Sequence, residues 1–167
     1  IWRRGIARVI DRLAPETTLL VLQGQTEPRS AWVYHKKHLI LCLKAKDGKV
    51  GEYAKLMMTP WERDPWKVCA GPASGLQVFD LGFAKVGLVI CYDIEFPLLS
   101  RALAEAGAEI ILAPSNTETE HGYWRVRTGC MTRALENQVY TVHSPTVGPA
   151  PWCPPVEMNV GSAGIYA

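Results

Sequence analysis

A cysteine at the point where a strand gives way to a turn is the residue of this sequence best suited to chemistry. Cys91 closes the apolar run Ala84–Ile90 and is followed by a short segment that ends in Pro97. The run predicts a strand and the proline can open a helix, so the thiol is expected where backbone N–H groups converge in layered α/β folds. A helix amino terminus favours thiolate over thiol, which makes Cys91 a candidate nucleophile. The alternative is an inert thiol buried in the core.

Two charged residues offer partners for that thiol. Lys55 is predicted near the end of another strand, and Glu62 lies seven residues later in a segment rich in tryptophan. A thiol that cleaves an amide needs a base to take its proton, a cation to stabilise the oxyanion and a group that orients them. Cys91, Lys55 and Glu62 supply these residue types. The alternative is that Lys55 and Glu62 only pair with each other at the surface.

Length and composition predict one globular α/β domain over residues 1–167. Apolar residues make up 48% of the chain and charged residues 20%, which is enough to form a core. The net charge of +2 is spread along the sequence, and the only dense basic cluster is His35-Lys36-Lys37-His38. Such a short cluster is typical of a solvated strand edge, so we expect no nucleic-acid partner.

The cysteines and the apolar runs bear on where the chain works. Its five cysteines form no C-x-x-C pair and are odd in number, which argues against a disulfide framework or a zinc site and favours reduced thiols. No run approaches the roughly 18 apolar residues of a membrane span. We therefore expect a soluble, cytoplasmic chain that binds no metal and no membrane. Because the sequence begins without Met and stops on an apolar stretch, we also expect it to be truncated.

The predicted elements alternate between strands and helices, which is typical of a layered α/β domain. Hydrophobic periodicity predicts helices over 2–13, 97–106 and about 123–136. It predicts strands over 17–23, about 31–43, 49–57, 76–80, 84–91, 109–113 and 139–143. Turn residues predict turns at 24–29 and 47–48 and a long loop over 59–74.

Residues 90–97, Ile-Cys-Tyr-Asp-Ile-Glu-Phe-Pro, strongly resemble the nucleophile segment of the nitrilase superfamily, the carbon–nitrogen hydrolases. Further motifs follow the order and approximate spacing of that family. They are Asp47-Gly48 leading to Tyr53-Ala54-Lys55-Leu56, then Thr59-Pro60-Trp61-Glu62, Pro114-Ser115-Asn116 and Arg133-Ala134-Leu135-Glu136-Asn137. The resemblance covers essentially the whole chain.

The resemblance implies a four-layer α-β-β-α sandwich, incomplete in this chain, with a Glu-Lys-Cys triad and no cofactor. By position, Cys91 resembles the nucleophile, Lys55 the triad lysine and Glu62 the family's second, supporting glutamate. The backbone N–H of Tyr92 would share the oxyanion hole with Lys55. Family members usually form dimers or larger oligomers through helices beside the active site, so the resemblance also implies a homo-oligomer.

The triad glutamate has no counterpart in this sequence. The family places it further before the lysine than this chain reaches, and Glu16, only 39 positions before Lys55, is rejected as the counterpart. Asn116 and Trp124 line the substrate pocket by analogy, although an Asn after a strand can simply cap a loop and a Trp is often part of the core.

Several polar residues outside these motifs are expected to be structural. His121 and His143 could relay protons near neutral pH, but neither holds a position that the family requires. Arg133 and Glu136 lie three residues apart on one predicted helix, where an ion pair would support the fold.

The leading hypothesis for function is hydrolysis of a non-peptide carbon–nitrogen bond in a small amide or N-carbamoyl compound, through a cysteine thioester. Acyl transfer to an amine and attack on a nitrile use the same chemistry and stay open. A non-catalytic scaffold or regulatory relative is the alternative of a different class. A glutamine-amidotransferase site would need small residues around its cysteine, whereas this chain has bulky Ile90 and Tyr92.

Overall fold

The computed structural model describes residues 23–24, 40–44, 50–151 and 157–167 of the chain. The predicted opening helix, most of the first strand, the first half of the second and the turn at 47–48 lie outside these residues.

The described elements alternate as the sequence predicts. In chain order they are β1 (Gln23–Gly24), β2 (Ile40–Lys44), β3 (Val50–Ala54), α1 (Pro60–Arg63), β4 (Val78–Asp80), β5 (Lys85–Leu88), α2 (Pro97–Glu105), β6 (Ile110–Ser115), α3 (Glu120–Asn137), β7 (Tyr140–Pro145), β8 (Gly148–Pro149), β9 (Met158–Asn159) and β10 (Gly164–Tyr166). Two short 3-10 turns, Ala73–Gly75 and Cys91–Glu95, stand between them. We refer to Cys91–Glu95 as the nucleophile turn.

The strands form two main sheets. The first has the order β1-β2-β3 and is antiparallel, with Lys44 opposite Val50 as expected for the predicted hairpin. The second has the order β10-β7-β6-β5-β4, in which β5, β6 and β7 run parallel and the two edge strands run antiparallel. Parallel strands joined through α2 and α3 are the right-handed crossover arrangement of α/β folds.

Alternation along the parallel strands creates two apolar layers. On β5 and β6, Val86, Leu88 and Leu112 point to one side and pack with Tyr53 of β3, so the two sheets lie face to face. On the other side, Ile111 belongs to a second core that includes residues of α2 and α3. The described residues thus supply three successive layers, sheet, sheet and helices, of the predicted sandwich.

Close approach of these layers requires glycine at defined points. A Cβ atom on Gly51 of β3 would lie 2.5 Å from the ring of Phe79 in the facing sheet. A Cβ atom on Gly87 of β5 would lie 2.9 Å from Leu103 of α2. Both contacts are shorter than packed carbon atoms tolerate, so these glycines set the spacing between the layers.

The structure corrects several predicted boundaries. The predicted loop over 59–74 contains helix α1, and Gly24, predicted in a turn, pairs in β1 with Leu41. The third predicted helix begins at Glu120 rather than 123 because Thr119 caps it, its hydroxyl accepting a hydrogen bond from the Gly122 N–H at 3.0 Å. Strand β5 ends at Leu88, three residues before Cys91.

Within the described residues, no helix is both long and apolar enough to cross a membrane. In the same part of the chain, no three His, Cys, Asp or Glu side chains stand close enough together to hold a metal ion.

Candidate active site

Lys55 occupies the first position after strand β3 and is buried. Its side chain is 1% exposed, and its ammonium donates a hydrogen bond to Glu62 Oε1 at 2.6 Å. The Lys55 carbonyl accepts a hydrogen bond from the Gly71 N–H at 2.9 Å, which fixes the backbone at this point. The surface pairing considered as an alternative is therefore wrong, because this ion pair lies inside the protein.

Glu62 is fixed from its other side by the start of helix α1. Its Oε2 accepts a hydrogen bond from the Thr59 N–H at 2.7 Å, and the Thr59 hydroxyl accepts one from the Glu62 N–H at 3.2 Å. This reciprocal pair is a capping box. Each Glu62 carboxylate oxygen thus accepts one hydrogen bond, Oε1 from Lys55 and Oε2 from Thr59.

Cys91 begins the nucleophile turn rather than ending a strand. Its φ angle is +50°, in the left-handed region that a side chain with a Cβ atom rarely occupies. Such backbone strain is concentrated at functional sites and persists only where the surroundings enforce it. The expectation of a thiol directly at the strand end is therefore corrected to a thiol on a strained turn just beyond it.

The surroundings of the thiol favour its protonated form. Burial raises the pKa of Cys91, while the nearby Lys55 ammonium and backbone hydrogen bonds from Asn116 and Tyr92 favour the thiolate and Glu62 opposes it. The Sγ atom lies 3.8 Å from the Asn116 carbonyl oxygen. Among the described residues, no carboxylate accepts a hydrogen bond from this thiol.

Asp93, two residues after Cys91, has a fully buried carboxylate that joins the two segments of the site. Its Oδ2 accepts hydrogen bonds from the Tyr53 hydroxyl and the Ile90 N–H, both at 2.9 Å, and its Oδ1 accepts one from the Met57 N–H at 2.7 Å. Burial raises the pKa of Asp93, and the three donors together with Lys55 oppose that rise.

Helix α3 supports the nucleophile turn from outside. Arg125 donates to Glu95 Oε2 from Nε at 3.1 Å and from Nη2 at 2.5 Å, and its guanidinium lies 5.6 Å from the centre of the Tyr92 ring. A Cβ atom on Gly129 would lie 3.2 Å from the Ile94 carbonyl oxygen, so the helix can approach the turn this closely because Gly129 has no side chain.

The structure therefore brings together Lys55, Glu62, Cys91 and the Tyr92 N–H. The two residues predicted to line the pocket, Asn116 and Trp124, have exposed side chains. Asn116 meets the thiol through its backbone carbonyl, while its side chain is exposed. Trp124 is 53% exposed and contacts Tyr123 and Arg127 on α3. The core position considered for Trp124 is wrong, and a role for either residue in a pocket stays a prediction.

The remaining polar predictions fall outside this cluster. His143 is fully buried and shares a 2.7 Å hydrogen bond with the Ser115 hydroxyl. Burial and the Arg127 charge lower the pKa of His143 to about 4, so its ring is neutral near pH 7. His121 is exposed, and Arg133 forms the predicted ion pair with Glu136 at 2.9 Å.

Sequence reasoning missed two contributors, Asp93 and Thr59. Both stand in quoted motifs, and each carries a local signal: an Asp or Thr three residues from a partner N–H is typical of a side chain that closes a turn or caps a helix. What the sequence could not show is that the Asp93 carboxylate also reaches Tyr53 and Met57, because that contact joins two distant segments.

The Lys55–Glu62 pair thus lies beside a cysteine on a strained turn, between two sheets and a helical layer. Comparison with known families agrees: the Carbon-nitrogen hydrolase family model matches residues 11–161. The chain belongs to the carbon–nitrogen hydrolase family.

Curated relatives include hydrolases, nitrilases and amidases. The chain is 43% identical over 132 residues to "Probable hydrolase YhcX" of Bacillus subtilis, covering 79% of this chain and 25% of that protein. It is 33% identical to a nitrilase of Pyrococcus abyssi, covering 81% of this chain and 48% of the relative. It is also 33% identical to an (R)-stereoselective amidase of Pseudomonas, covering 77% and 43%. The chain thus spans a quarter to a half of the length of these relatives.

Solved structures share the fold. A carbon–nitrogen hydrolase from Helicobacter pylori G27 superposes with a TM-score of 0.71 at 20% identity, over 98% of this chain and 60% of that one. A glutamate-to-glutamine mutant of the amidase from Nesterenkonia sp. AN1, which shows the result of Michael addition of acrylamide at its active-site cysteine, superposes with a TM-score of 0.64 at 24% identity, over 77% of this chain and 48% of that one. The predicted nitrilase-type fold is confirmed.

Proposed function

We propose that this chain carries the nucleophile, the oxyanion-stabilising cation and the supporting carboxylate of an enzyme that hydrolyses a carbon–nitrogen bond in a small amide or N-carbamoyl compound. The observation that carries the proposal is the buried Lys55–Glu62 pair next to Cys91. Amidases among the relatives and the cysteine chemistry of an amidase with this fold support it.

In the proposed first half-reaction, a carboxylate base takes the Cys91 proton while the sulfur attacks the carbonyl carbon. The resemblance assigns the base to the triad glutamate, which has no counterpart in this sequence. The electron pair of the C=O bond moves to oxygen, where Lys55 and the Tyr92 N–H stabilise the negative charge. The C–N bond then breaks, the nitrogen leaves with the proton, and an acyl thioester remains on Cys91.

In the proposed second half-reaction, the same base takes a proton from water and the hydroxide attacks the thioester carbon. The C–S bond breaks, the acid product leaves and the sulfur recovers its proton. Glu62 keeps Lys55 in place throughout, because its second oxygen is anchored on the Thr59 N–H. No step draws on a cofactor.

Two further features belong to the proposal. Apolar side chains on the outer faces of α2 and α3 are exposed, which supports a homo-oligomer built through these helices. Five cysteines without paired spacing support reduced thiols and a cytoplasmic location.

Ammonia release from a panel of short aliphatic amides, N-carbamoyl amino acids and nitriles tests the proposal on the protein at its native length. We expect release from at least one amide or carbamoyl compound, and a loss of about 10³-fold or more in Cys91→Ala and in Lys55→Met. Cys69→Ala is the matched control and should keep the parent rate.

A Cys91→Ala variant that is as active as the parent would contradict the proposal. A parent that consumes none of the panel and forms no adduct with small electrophiles would favour the non-catalytic alternative. Hydroxamate formed in the presence of hydroxylamine would support the acyl thioester, and formation of a new amide from an added amine in preference to the acid would point to acyl transfer as the main reaction.

A further inference from the structure

The buried carboxylate of Asp93 stands between the segment that carries Lys55 and the segment that carries Cys91. Its three donors are the Tyr53 hydroxyl at 2.9 Å, the Met57 N–H at 2.7 Å and the Ile90 N–H at 2.9 Å. Tyr53 and Met57 lie two residues to either side of Lys55, and Ile90 immediately precedes Cys91. The Asp93 side chain therefore binds residues on both sides of Lys55 and the residue before Cys91.

The same carboxylate closes the turn on which Cys91 is strained. The Ile90 N–H donates to Asp93 Oδ2 at 2.9 Å, while the Asp93 N–H donates to the Ile90 carbonyl at 3.0 Å. These reciprocal bonds enclose Cys91, whose φ angle of +50° needs surroundings that enforce it. Without the side-chain bond, the turn is free to relax toward an ordinary backbone conformation.

The chemistry of the contact calls for a carboxylate. Oδ2 accepts two hydrogen bonds and Oδ1 accepts one, so all three partners are donors. An asparagine has one acceptor oxygen, and its NH₂ group would face at least one of these donors without being able to pair with it. A buried charge is costly unless it is fully hydrogen-bonded, and here the hydrogen bonds meet that condition.

We propose that Asp93 is a positioning residue that fixes the Lys55 ammonium relative to the Cys91 sulfur, so that both address the same carbonyl group. Asp93 touches neither substrate nor sulfur and acts through Tyr53, Met57 and Ile90. The inference rests on the proposed function, because it concerns the oxyanion that Lys55 stabilises there.

Two small electrophiles separate this role from a merely structural one. When the Cys91 thiolate adds to acrylamide, an S–C bond forms at the β-carbon and the electron pair of the C=C bond moves toward the amide oxygen, before the α-carbon takes a proton. When it reacts with iodoacetamide, an S–C bond forms as iodide leaves, and no charge develops on oxygen. The ratio of the two rates at Cys91 therefore measures how well the oxyanion donors are aligned with the sulfur.

Both rates are measured by intact-protein mass spectrometry with peptide mapping to Cys91, on the protein at its native length. In Asp93→Asn we expect the acrylamide rate to fall at least 30-fold and the iodoacetamide rate to change less than 3-fold. Asp80→Asn is the matched control, since the Asp80 carboxylate also closes a turn, accepting a hydrogen bond from the Gly82 N–H at 2.8 Å, but lies on the exposed β4–β5 hairpin. There we expect both rates to stay within about 3-fold of the parent.

Equal falls in both rates, or no fall in either, would show that Asp93 is merely structural and would overturn the inference. Asp93→Ser, which leaves room for water at the freed N–H groups, carries the same expectations if Asp93→Asn does not fold. Lys55→Met separates the two proposals. If the ratio of the acrylamide rate to the iodoacetamide rate in Lys55→Met equals that of the parent, the proposed function is wrong. If this ratio falls in Lys55→Met but not in Asp93→Asn, only the positioning role of Asp93 is wrong.

Discussion

At the scale of single residues, the titration of Cys91 reflects two opposite charges held in one ion pair. The Lys55 ammonium lowers the pKa of the thiol, Glu62 raises it, and burial raises it most. Lys55 Nζ lies 2.6 Å from Glu62 Oε1, so the electrostatic field at the Cys91 sulfur is the sum of these two opposite charges and changes when either is removed.

Removing the two charges one at a time should move the Cys91 titration in opposite directions. We expect Lys55→Met to shift the midpoint of the pH-dependent alkylation of Cys91 by iodoacetamide upward, and Glu62→Gln to shift it downward by a smaller amount. Glu105→Gln, on the exposed surface of α2, is the control and should leave the midpoint unchanged. Shifts of the same sign in both variants would contradict the described geometry.

His143 makes the stability of the fold sensitive to acid. Its folded-state pKa is lowered to about 4, whereas an unfolded histidine titrates near 6.5. Between these values the unfolded chain binds the proton and the folded chain does not, so stability is present above about pH 6.5 and is lost as the pH falls toward 4. A shift of this size corresponds to at most about 3 kcal/mol.

Urea unfolding of the parent and of His143→Phe between pH 7 and pH 4.5 tests this. His143→Phe keeps an aromatic ring beside Tyr123 but cannot take up a proton, so we expect its loss of stability over this range to be about 2–3 kcal/mol smaller than that of the parent. His121→Gln, at an exposed position, should follow the parent. Parallel curves for the parent and His143→Phe would show that His143 is not the group responsible.

At the scale of elements, the end of β3 is fixed by the loop that follows α1. The Gly71 N–H donates to the Lys55 carbonyl, and a Cβ atom on Gly71 would lie 2.5 Å from Ala54 Cβ and 2.6 Å from its carbonyl oxygen. A side chain there would have to displace the backbone next to the lysine, since no flexible group can move aside.

Gly71→Ala is therefore expected to lower the free energy of unfolding by about 1–3 kcal/mol and to reduce amide turnover more than the loss of folded protein explains. Gly75→Ala, in the same loop, is the matched control: its Cβ atom would meet only Pro72 Cγ at 3.9 Å. Thermal unfolding measures the stability of both variants, and amide turnover per folded molecule measures their activity. Equal behaviour of Gly71→Ala and Gly75→Ala would show that the loop does not fix the end of β3.

Most elements could be predicted from the sequence because their signals are local. The apolar run 84–90 and Pro97 predict β5 and the start of α2, and Gly107, which follows that helix with a φ angle of +95°, is a residue type typical of a helix end. Helix α1 was missed because it has four residues and depends on a cap, which hydrophobic periodicity cannot detect.

The candidate site was predictable in part, for the same reason. Cys91, Lys55 and Glu62 could be chosen from residue type, order and resemblance, and the structure brings them together. The strained φ angle of Cys91 and the contacts of Asp93 could not be predicted, because they arise when β3 packs on the second sheet and meets the nucleophile turn.

At the scale of the whole molecule, α2 and α3 present an apolar outer face. Trp124, Met131 and Leu135 recur at spacings of seven and four residues along α3, and Leu98 is exposed on α2. Their exposed fractions run from 49% to 79%. Since the inner side of α3 supports the nucleophile turn, a partner on the outer face would also stiffen the site.

We expect the protein at its native length to form a homodimer or larger oligomer through this face. Leu135→Glu should shift the mass measured by light scattering toward the monomer, because a charge cannot be buried unpaired in an apolar interface. The control is Phe83→Glu. Phe83 is also apolar and exposed, but it lies on the β4–β5 hairpin, so this substitution should leave the mass unchanged. A parent that is monomeric at micromolar concentration would contradict the expectation.

Acid quenching followed by mass spectrometry tests directly whether Cys91 forms an acyl thioester with the substrate. The protein at its native length, mixed with the amides and carbamoyl compounds that release ammonia, is quenched in acid within milliseconds to seconds and analysed by intact mass spectrometry and peptide mapping. We expect an added mass equal to the acyl group, on Cys91 alone, which is absent from Cys91→Ala and accumulates when hydrolysis is slowed. Ammonia release that persists in Cys91→Ala, or an acyl group on another residue, would contradict it.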